Sequence, residues 1–140
     1  QAYDVVIVDS SDPLGPAEGL FTSEFYGDVA NALKKDGLMV VQSESPFFTP
    51  DLVQSIYRAM RAHFSTVRLY TASVPTYSAG PWGFMLASRK RLESVSPRRT
   101  NPRLKVRYYT PEVHKAAFVL PLYIQEYLQD GEDEEGVSTA

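Results

Sequence analysis

Apolar runs of the kind that form buried strands alternate along this chain with amphipathic segments of helical period. Four segments are typical of strands, at residues 3–9, 37–44, 66–74 and 82–89, and four of helices, at 22–35, 49–64, 110–118 and 120–129. The order strand, helix, strand, helix, strand, strand indicates the second half of a doubly wound α/β sheet. No helix separates the last two strands, so we expect a mostly parallel sheet with an antiparallel final strand pair.

Composition indicates the number of domains and the compartment in which the chain works. Its 140 residues fit one domain, which we assign to residues 1–129, and we expect the acidic residues 130–140 to be a disordered tail. Cysteine is absent, which excludes disulfides and thiolate metal sites and fits a reducing, cytoplasmic location. No apolar run approaches the roughly 20 residues that span a bilayer, so we expect no membrane association.

The charged segments do not suggest a nucleic-acid partner. The net charge is −3, and the basic segment 89–99 lacks aromatic residues interleaved with its lysines and arginines. We interpret this segment as a solvated loop, as is usual for a block of like charge.

Polar side chains stand where three of the predicted strands end. Asp9 follows the first strand, Gln42 lies near the end of the second, and Tyr77 is in the loop that leaves the third. Ligands of open α/β sheets bind just beyond the carboxyl ends of the strands, so these three side chains are expected on one rim. Convergence from three strands is more informative than any one of the residues.

The stretch "DSSDPLGPA" after the first strand has two possible interpretations. Serine, proline, glycine and aspartate are turn formers, so Asp9 and Asp12 are explained by loop structure alone. Alternatively, two carboxylates at a strand end form a negative pocket that suits an amine, and one of them can serve as a general base. The residues themselves leave both interpretations open.

Two further features carry weaker signals. The segment "PTYSAGPW" places Tyr77 and Trp82 beside a glycine, an arrangement that serves equally as a binding wall or as simple packing. His114 lies at helical spacing before an apolar run, and we interpret it as structural. The chain has two histidines, and no carboxylate spacing near them suggests a metal site.

Four further segments belong together: "YDVVIVDSSDPLGPAEGLF", "VVQSESPFF", "PTYSAGPWGFML" and "YYTPEVHKAAFVLP". In sequence, order and spacing, from about Tyr3 to Leu128, they resemble the spermidine synthases, the aminopropyltransferases of polyamine synthesis. The resemblance implies a Rossmann-like, class I methyltransferase-type sheet, of which this chain is the C-terminal half. It also implies aminopropyl transfer from decarboxylated S-adenosylmethionine, a co-substrate, to putrescine, with no metal or other cofactor and with a homodimer or homotetramer as the assembly.

The resemblance also assigns roles to individual residues. Asp9 matches the proton acceptor that takes a proton from the attacking amine. The diamine site matches Asp9, Ser10, Ser11, Asp12, Gln42 and Tyr77, and Pro16 matches a loop proline beside the aminopropyl donor. Putrescine is dicationic near neutral pH, because alkyl amines titrate near 10.4, so carboxylates attract it and a base must free one amine.

The sequence departs from the family pattern at two places. The family's "YPxG" is "YSAG" here, so the tip of that loop differs, and no glycine-rich donor-binding turn precedes Tyr3. We therefore expect the chain to be the C-terminal half of a synthase and to be inactive alone. The strand at residues 3–9, whose continuous apolar character is typical of a strand covered on both faces, would then expose an unpaired edge.

Two alternative functions remain open. A putrescine N-methyltransferase binds the same diamine but transfers a methyl group from S-adenosylmethionine, and the distinguishing donor residues would lie upstream. A non-catalytic half-domain that supports another subunit is the second alternative. The acceptor amine is also open among putrescine, cadaverine, agmatine and spermidine.

Overall fold

The computed structural model describes residues 2–78, 80–96 and 105–133, with the side chains of 130–133 excepted. Four strands form one sheet: β1 (Tyr3–Val8), β2 (Leu33–Gln42), β3 (Thr66–Ala72) and β4 (Trp82–Ser88). The helices are α1 (Ser23–Ala32), α2 (Pro50–Arg61), α3 (Pro111–Ala117) and α4 (Leu122–Asp133), and a 3-10 helix spans Gly15–Phe21. No helix of these described residues is long and apolar enough to cross a membrane.

The sheet has the spatial order β1-β2-β4-β3. β1 pairs with β2 in parallel, and β4 is antiparallel to both of its neighbours, β2 and β3. β1, β2 and β3 therefore run in the same direction, and the expected antiparallel final pair is confirmed. β4 lies between β2 and β3, so the carboxyl ends of β1, β2 and β3 share one rim with the start of β4.

Helices α1, α2 and α4 cover one face of the sheet and enclose the core. The core side chains alternate along the strands and recur with helical spacing, as two-layer packing requires. They are Tyr26, Val29, Ala30, Leu33, Met39, Val41, Val53, Ile56, Met60, Phe64, Val67, Leu69, Met85, Ala87, Ile124 and Leu128.

The second face of the sheet is covered only in part. Tyr70 of β3 stacks on Phe84 of β4 at a ring-centroid distance of 5.3 Å and contacts Phe118, just after α3. At the other end of the sheet, Val5 and Ile7 of β1 are 52% and 73% exposed. The expectation that both faces of this strand are covered is therefore wrong for the described residues. The expected open edge is confirmed, because within the described residues β1 pairs only with β2.

The end of α1 differs from the expectation. The sequence pattern predicts a helix over residues 22–35, but α1 ends at Ala32, and Leu33 is the C-cap in extended conformation. Burial of Leu33 in the core decides this, because its side chain is completely inaccessible. Gly37 belongs to β2. A Cβ at this position would lie 2.9 Å from the Leu33 side chain, which is too close for an unstrained contact.

The C-terminal helix is longer than its pattern indicates. α4 continues to Asp133 and so includes the first residues of the segment expected to be a tail. The rest of that segment, 134–140, lies outside the described residues.

Candidate functional site

The candidate site is the rim formed by the carboxyl ends of β1 and β2 and the loop between β3 and β4. Val8 is opposite Val41 in the parallel register, so Asp9 follows next to the position of Gln42. β4 begins at Trp82, opposite Ala72, and its Phe84 is opposite Gln42. The sheet topology alone thus brings three chain segments to one place.

Gln42 connects these segments through its side-chain amide. Its Nε2 donates to the carbonyl oxygen of Ser10 at 3.1 Å, and its Oε1 accepts from the indole Nε1 of Trp82 at 3.0 Å. Gln42 is buried, with 7% exposure, so these bonds are shielded from competing water. The loop after β1 and the start of β4 are therefore held to the end of β2 by one amide group.

Tyr77 joins this arrangement through an aromatic stack. Its ring lies 4.0 Å from that of Trp82, with an interplanar angle of 17°. The backbone N–H of Tyr77 donates to the carbonyl of Val74 at 3.0 Å, which closes the turn that carries the ring. Tyr77 is half exposed, so its ring and hydroxyl are accessible from the rim.

Two carboxyl groups meet beside Gln42. Glu44 Oε1 accepts from Gln42 Nε2 at 3.0 Å, and the carboxyl of Asp12 is near enough to act on the pKa of Glu44. Desolvation by burial raises the pKa of Glu44, as do the charge and hydrogen bond of Asp12, while the bond from Gln42 opposes them. A pair of this kind favours a cation between or beside its members, because the cation relieves the repulsion.

The backbone at Glu44 has an unusual conformation. Its φ is 63°, the one positive φ among the described residues other than glycine, and it is costly for a side chain with a Cβ. The Glu44 N–H donates to Gln42 Oε1 at 3.1 Å, and its carbonyl accepts from the Gly83 N–H at 2.8 Å. These bonds hold the turn that places the Glu44 carboxyl beside Gln42.

The structure connects some of the sequence-predicted site residues more closely than others. Ser10, Asp12, Gln42 and Tyr77 are joined by the contacts above. Asp9 and Ser11 are exposed in the loop after β1, and Pro16 is exposed in the 3-10 helix. The Ser10 hydroxyl is buried and has no hydrogen-bond partner among the described residues, which is unusual for a buried polar atom.

Sequence reasoning missed Glu44 and undervalued Trp82. Glu44 lies two residues beyond Gln42, and a carboxylate so close to a strand end was a usable signal. The hydrogen bond of the Trp82 indole was not predictable, because it joins residues that are 40 positions apart.

The histidines make their hydrogen bonds elsewhere, although His114 lines a cavity with Ser73 and Pro81 of the loop between β3 and β4. His63 Nε2 is 2.9 Å from Ser23 Oγ, near the start of α1, and His114 contacts Tyr109, Phe118 and the carbonyl of Val95. These contacts agree with a structural interpretation of His114. Within the described part of the chain, no group of three or more histidine, aspartate or glutamate side chains could hold a metal ion.

Solved structures and sequence relatives identify the class to which this arrangement belongs. A crystal structure of spermidine synthase in complex with the transition state analogue AdoDATO superposes with a TM-score of 0.80 at 33% identity. The match covers 91% of this chain and 45% of that one. Spermidine synthase from Thermotoga maritima matches with a TM-score of 0.77 at 32% identity, over 91% of this chain and 44% of that one. The fold is therefore that of a spermidine synthase, whose sheet is methyltransferase-like.

The sequence comparisons agree with the structural ones. The family model of the spermine/spermidine synthase domain matches residues 1–97. The polyamine aminopropyltransferase of Moorella thermoacetica is 50% identical over 133 residues, which are 95% of this chain and 47% of that protein. The Bacillus subtilis polyamine aminopropyltransferase is 42% identical over 127 residues, 91% of this chain and 46% of that protein.

The chain belongs to the spermine/spermidine synthase family, as the resemblance of its motifs implied. It spans about half the length of the curated relatives that it matches.

Proposed function

We propose that this chain supplies the acceptor site for aminopropyl transfer from decarboxylated S-adenosylmethionine to putrescine, with spermidine and methylthioadenosine as products. The observation that carries the proposal is the hydrogen-bonded group around Gln42, which joins Ser10, Trp82 and the Asp12–Glu44 carboxyl pair. It combines negative charge with an aromatic wall, the two features that an alkyl diamine requires. The names of the relatives support the same reaction.

The reaction needs a base and correct positioning. A neutral amine nitrogen attacks the methylene carbon next to the sulfonium, and a C–N bond forms as the C–S bond breaks. The bonding electron pair goes to sulfur, which leaves as the neutral thioether of methylthioadenosine. The proton released from the amine goes to the carboxylate of Asp9. Because the sulfonium is already a good leaving group, orienting the two substrates accounts for much of the acceleration.

Each residue of the proposed site has a role that its position permits. Asp9 is the general base, since it follows β1 on the rim and its carboxylate is exposed to an incoming amine. Ser10, Ser11, Asp12, Gln42 and Tyr77 bind the diamine, with the buried and unpartnered Ser10 hydroxyl as one acceptor. We add Glu44 and Trp82 to this site. Pro16, on the 3-10 helix beyond the same loop, contacts the donor.

The remaining assignments belong to the same proposal. Residues 1–129 act as part of one catalytic domain, and 130–140 take no part in the site. The reaction uses no metal or other cofactor, because a sulfonium donor and one base suffice. We infer a cytoplasmic location and a homo-oligomeric assembly, with no nucleic-acid or membrane partner.

The test uses a chimera, because this chain spans about half of its relatives. This chain replaces the part of the Moorella thermoacetica relative that it matches, and spermidine formation is measured with decarboxylated S-adenosylmethionine and putrescine. We expect turnover, and we expect Asp9→Asn to reduce kcat by roughly 10²–10⁴-fold, the usual contribution of a positioned base. Asp51→Asn, the same change at an exposed position in the first turn of α2, is the control.

Three outcomes would contradict the proposal. The first is a folded chimera that does not form spermidine. The second is an Asp9→Asn chimera with nearly unchanged turnover, which would remove Asp9 as the base. The third is product formed only with S-adenosylmethionine as donor, which would favour the N-methyltransferase alternative.

A further inference from the structure

The sequence segment 89–99 contains basic residues that the proposed function does not use. In the structure, Arg91 of this segment lies at the end of the sheet opposite to the candidate site, beyond the end of β4 and beside the start of β3. It lines a cavity of about 580 Å³ together with Arg61, at the end of α2, and Arg68, on β3. Three arginines from three separate elements therefore face one cavity.

The cavity is basic even though the chain is acidic overall. Among the described residues, the rest of its lining is Tyr57, Ser65, Thr66, Val67 and Leu92, which include no acidic side chain. The net charge of the whole chain is −3, whereas Arg68 and Arg91 bring two positive charges to this cavity. The adjoining cavity, which shares Arg68 and Leu92 with this one, includes Glu93 in its lining. A cleft lined by one sign of charge concentrates ligands of the opposite sign.

The arginine contributed by the loop is held in place by a buried hydroxyl. Thr66 Oγ1 donates to the carbonyl of Lys90 at 3.0 Å and accepts from the N–H of Leu92 at 2.9 Å. These two bonds hold the backbone on both sides of Arg91 against the start of β3. Thr66 is 6% exposed, so the connection is shielded from water. The position of Arg91 is therefore built into the fold.

We propose that this basic cavity binds a phosphate-bearing small molecule of nucleotide size. Guanidinium groups pair with phosphate oxygens through two parallel hydrogen bonds and are weakly hydrated, which makes arginine well suited to phosphate recognition. The cavity volume lies within the range of small-molecule sites, about 300–1,000 Å³. Tyr57 also lines the cavity and brings an aromatic ring beside the arginines. This inference does not depend on the proposed aminopropyl transfer.

The test is a calorimetric titration of the chain with ATP, inorganic phosphate and adenosine. We expect saturable binding of ATP with a dissociation constant of about 1 mM or tighter, weaker binding of phosphate, and no binding of adenosine. Arg68→Gln and Arg91→Gln should each weaken ATP binding about tenfold, because each removes a charged hydrogen-bond donor. The ATP affinity of Arg91→Lys should lie between those of the wild type and Arg91→Gln, since lysine retains the charge but lacks the planar guanidinium group.

The control is Arg89→Gln, which makes the same change of charge two residues away. Arg89 lines a different cavity, and its guanidinium donates to the carbonyl of Ala30 at 3.2 Å. Circular dichroism verifies that each variant retains the fold. The proposal is overturned if ATP shows no saturable binding, if adenosine binds as tightly as ATP, or if Arg89→Gln weakens binding as much as Arg68→Gln.

Discussion

Gln42 joins the loop after β1, the end of β2 and the start of β4 through a single amide group. Replacing it with methionine keeps the length of the side chain and removes all of these hydrogen bonds. We expect Gln42→Met to lower the free energy of unfolding by roughly 1–3 kcal/mol, because buried donors and acceptors lose their partners. Urea denaturation monitored by Trp82 fluorescence measures the change.

The control for this prediction is Gln125→Met. The Gln125 amide donates to the carbonyl of Leu120 at 2.7 Å in an exposed position. We expect a change below about 0.5 kcal/mol there, as for most surface substitutions. Equal losses for the two variants would contradict the role given to Gln42.

The raised pKa of Glu44 predicts how stability depends on pH. Its protonated form is favoured in the folded chain, so the stabilisation is present below its ordinary value of 4.5 and is lost as the pH rises through the raised pKa. Glu44→Gln has no ionisable group at this position, so its stability does not fall in this way as the pH rises. We expect the variant to be more stable than wild type near neutral pH by less than about 1 kcal/mol, because water partly screens the pair.

The measurement for Glu44 is urea denaturation at acidic and at neutral pH. Below pH 4.5 the difference in the free energy of unfolding between the variant and the wild type should shrink. Glu44 is then protonated and carries no charge, like the amide that replaces it. In an Asp12→Asn background the gain at neutral pH should also be smaller, because the neighbouring charge is gone. A gain that is independent of pH would show that the ionisation of Glu44 is not its cause.

At the scale of the elements, β2 and β4 approach closely at the rim, and Gly83 permits this approach. A Cβ at Gly83 would lie 2.8 Å from the carbonyl oxygen of Glu44 and 3.0 Å from Ser43 Oγ. The contact is with backbone, which cannot move aside cheaply. We expect Gly83→Ala to lower the free energy of unfolding by roughly 1–3 kcal/mol and to displace Trp82. Chemical denaturation and the Trp82 emission maximum report the two effects.

Gly19→Ala is the matched substitution. A Cβ at Gly19 would have no heavy atom within 4 Å, and its φ is not in the left-handed region. We expect a change within about 0.5 kcal/mol. A Gly83→Ala variant as stable as Gly19→Ala would contradict the close approach of the two strands.

At the scale of the whole molecule, β1 leaves an apolar edge open. Edge strands with exposed apolar side chains tend to pair with other chains, and a charge on such a strand prevents pairing. We expect the chain to self-associate as its concentration rises and Ile7→Lys to reduce this association, measured by light scattering. Leu14→Lys is the control, because Leu14 is also 73% exposed but lies in the loop outside β1. Equal effects of the two substitutions would show that general hydrophobicity, not the β1 edge, drives association.

The sequence was sufficient for the order of strands and helices and for the direction of the last strand pair. It was also sufficient to predict that Asp9, Gln42 and Tyr77 come from strand ends on one rim, because apolar periodicity and turn residues are local properties. The family motifs lie in the same segments, so membership in the family could also be recognised from the sequence.

Other features depend on contacts between residues distant in sequence. The end of α1 at Ala32 follows from the burial of Leu33 in the core, and the position of β4 between β2 and β3 follows from pairing along both edges of that strand. The Glu44 turn and the Trp82 bond to Gln42 require β2 and β4 to be side by side. Local sequence patterns thus determined which elements form and what chemistry their ends carry. Tertiary packing decided which of those ends touch, because burial and cross-strand hydrogen bonds exist only once the sheet is assembled.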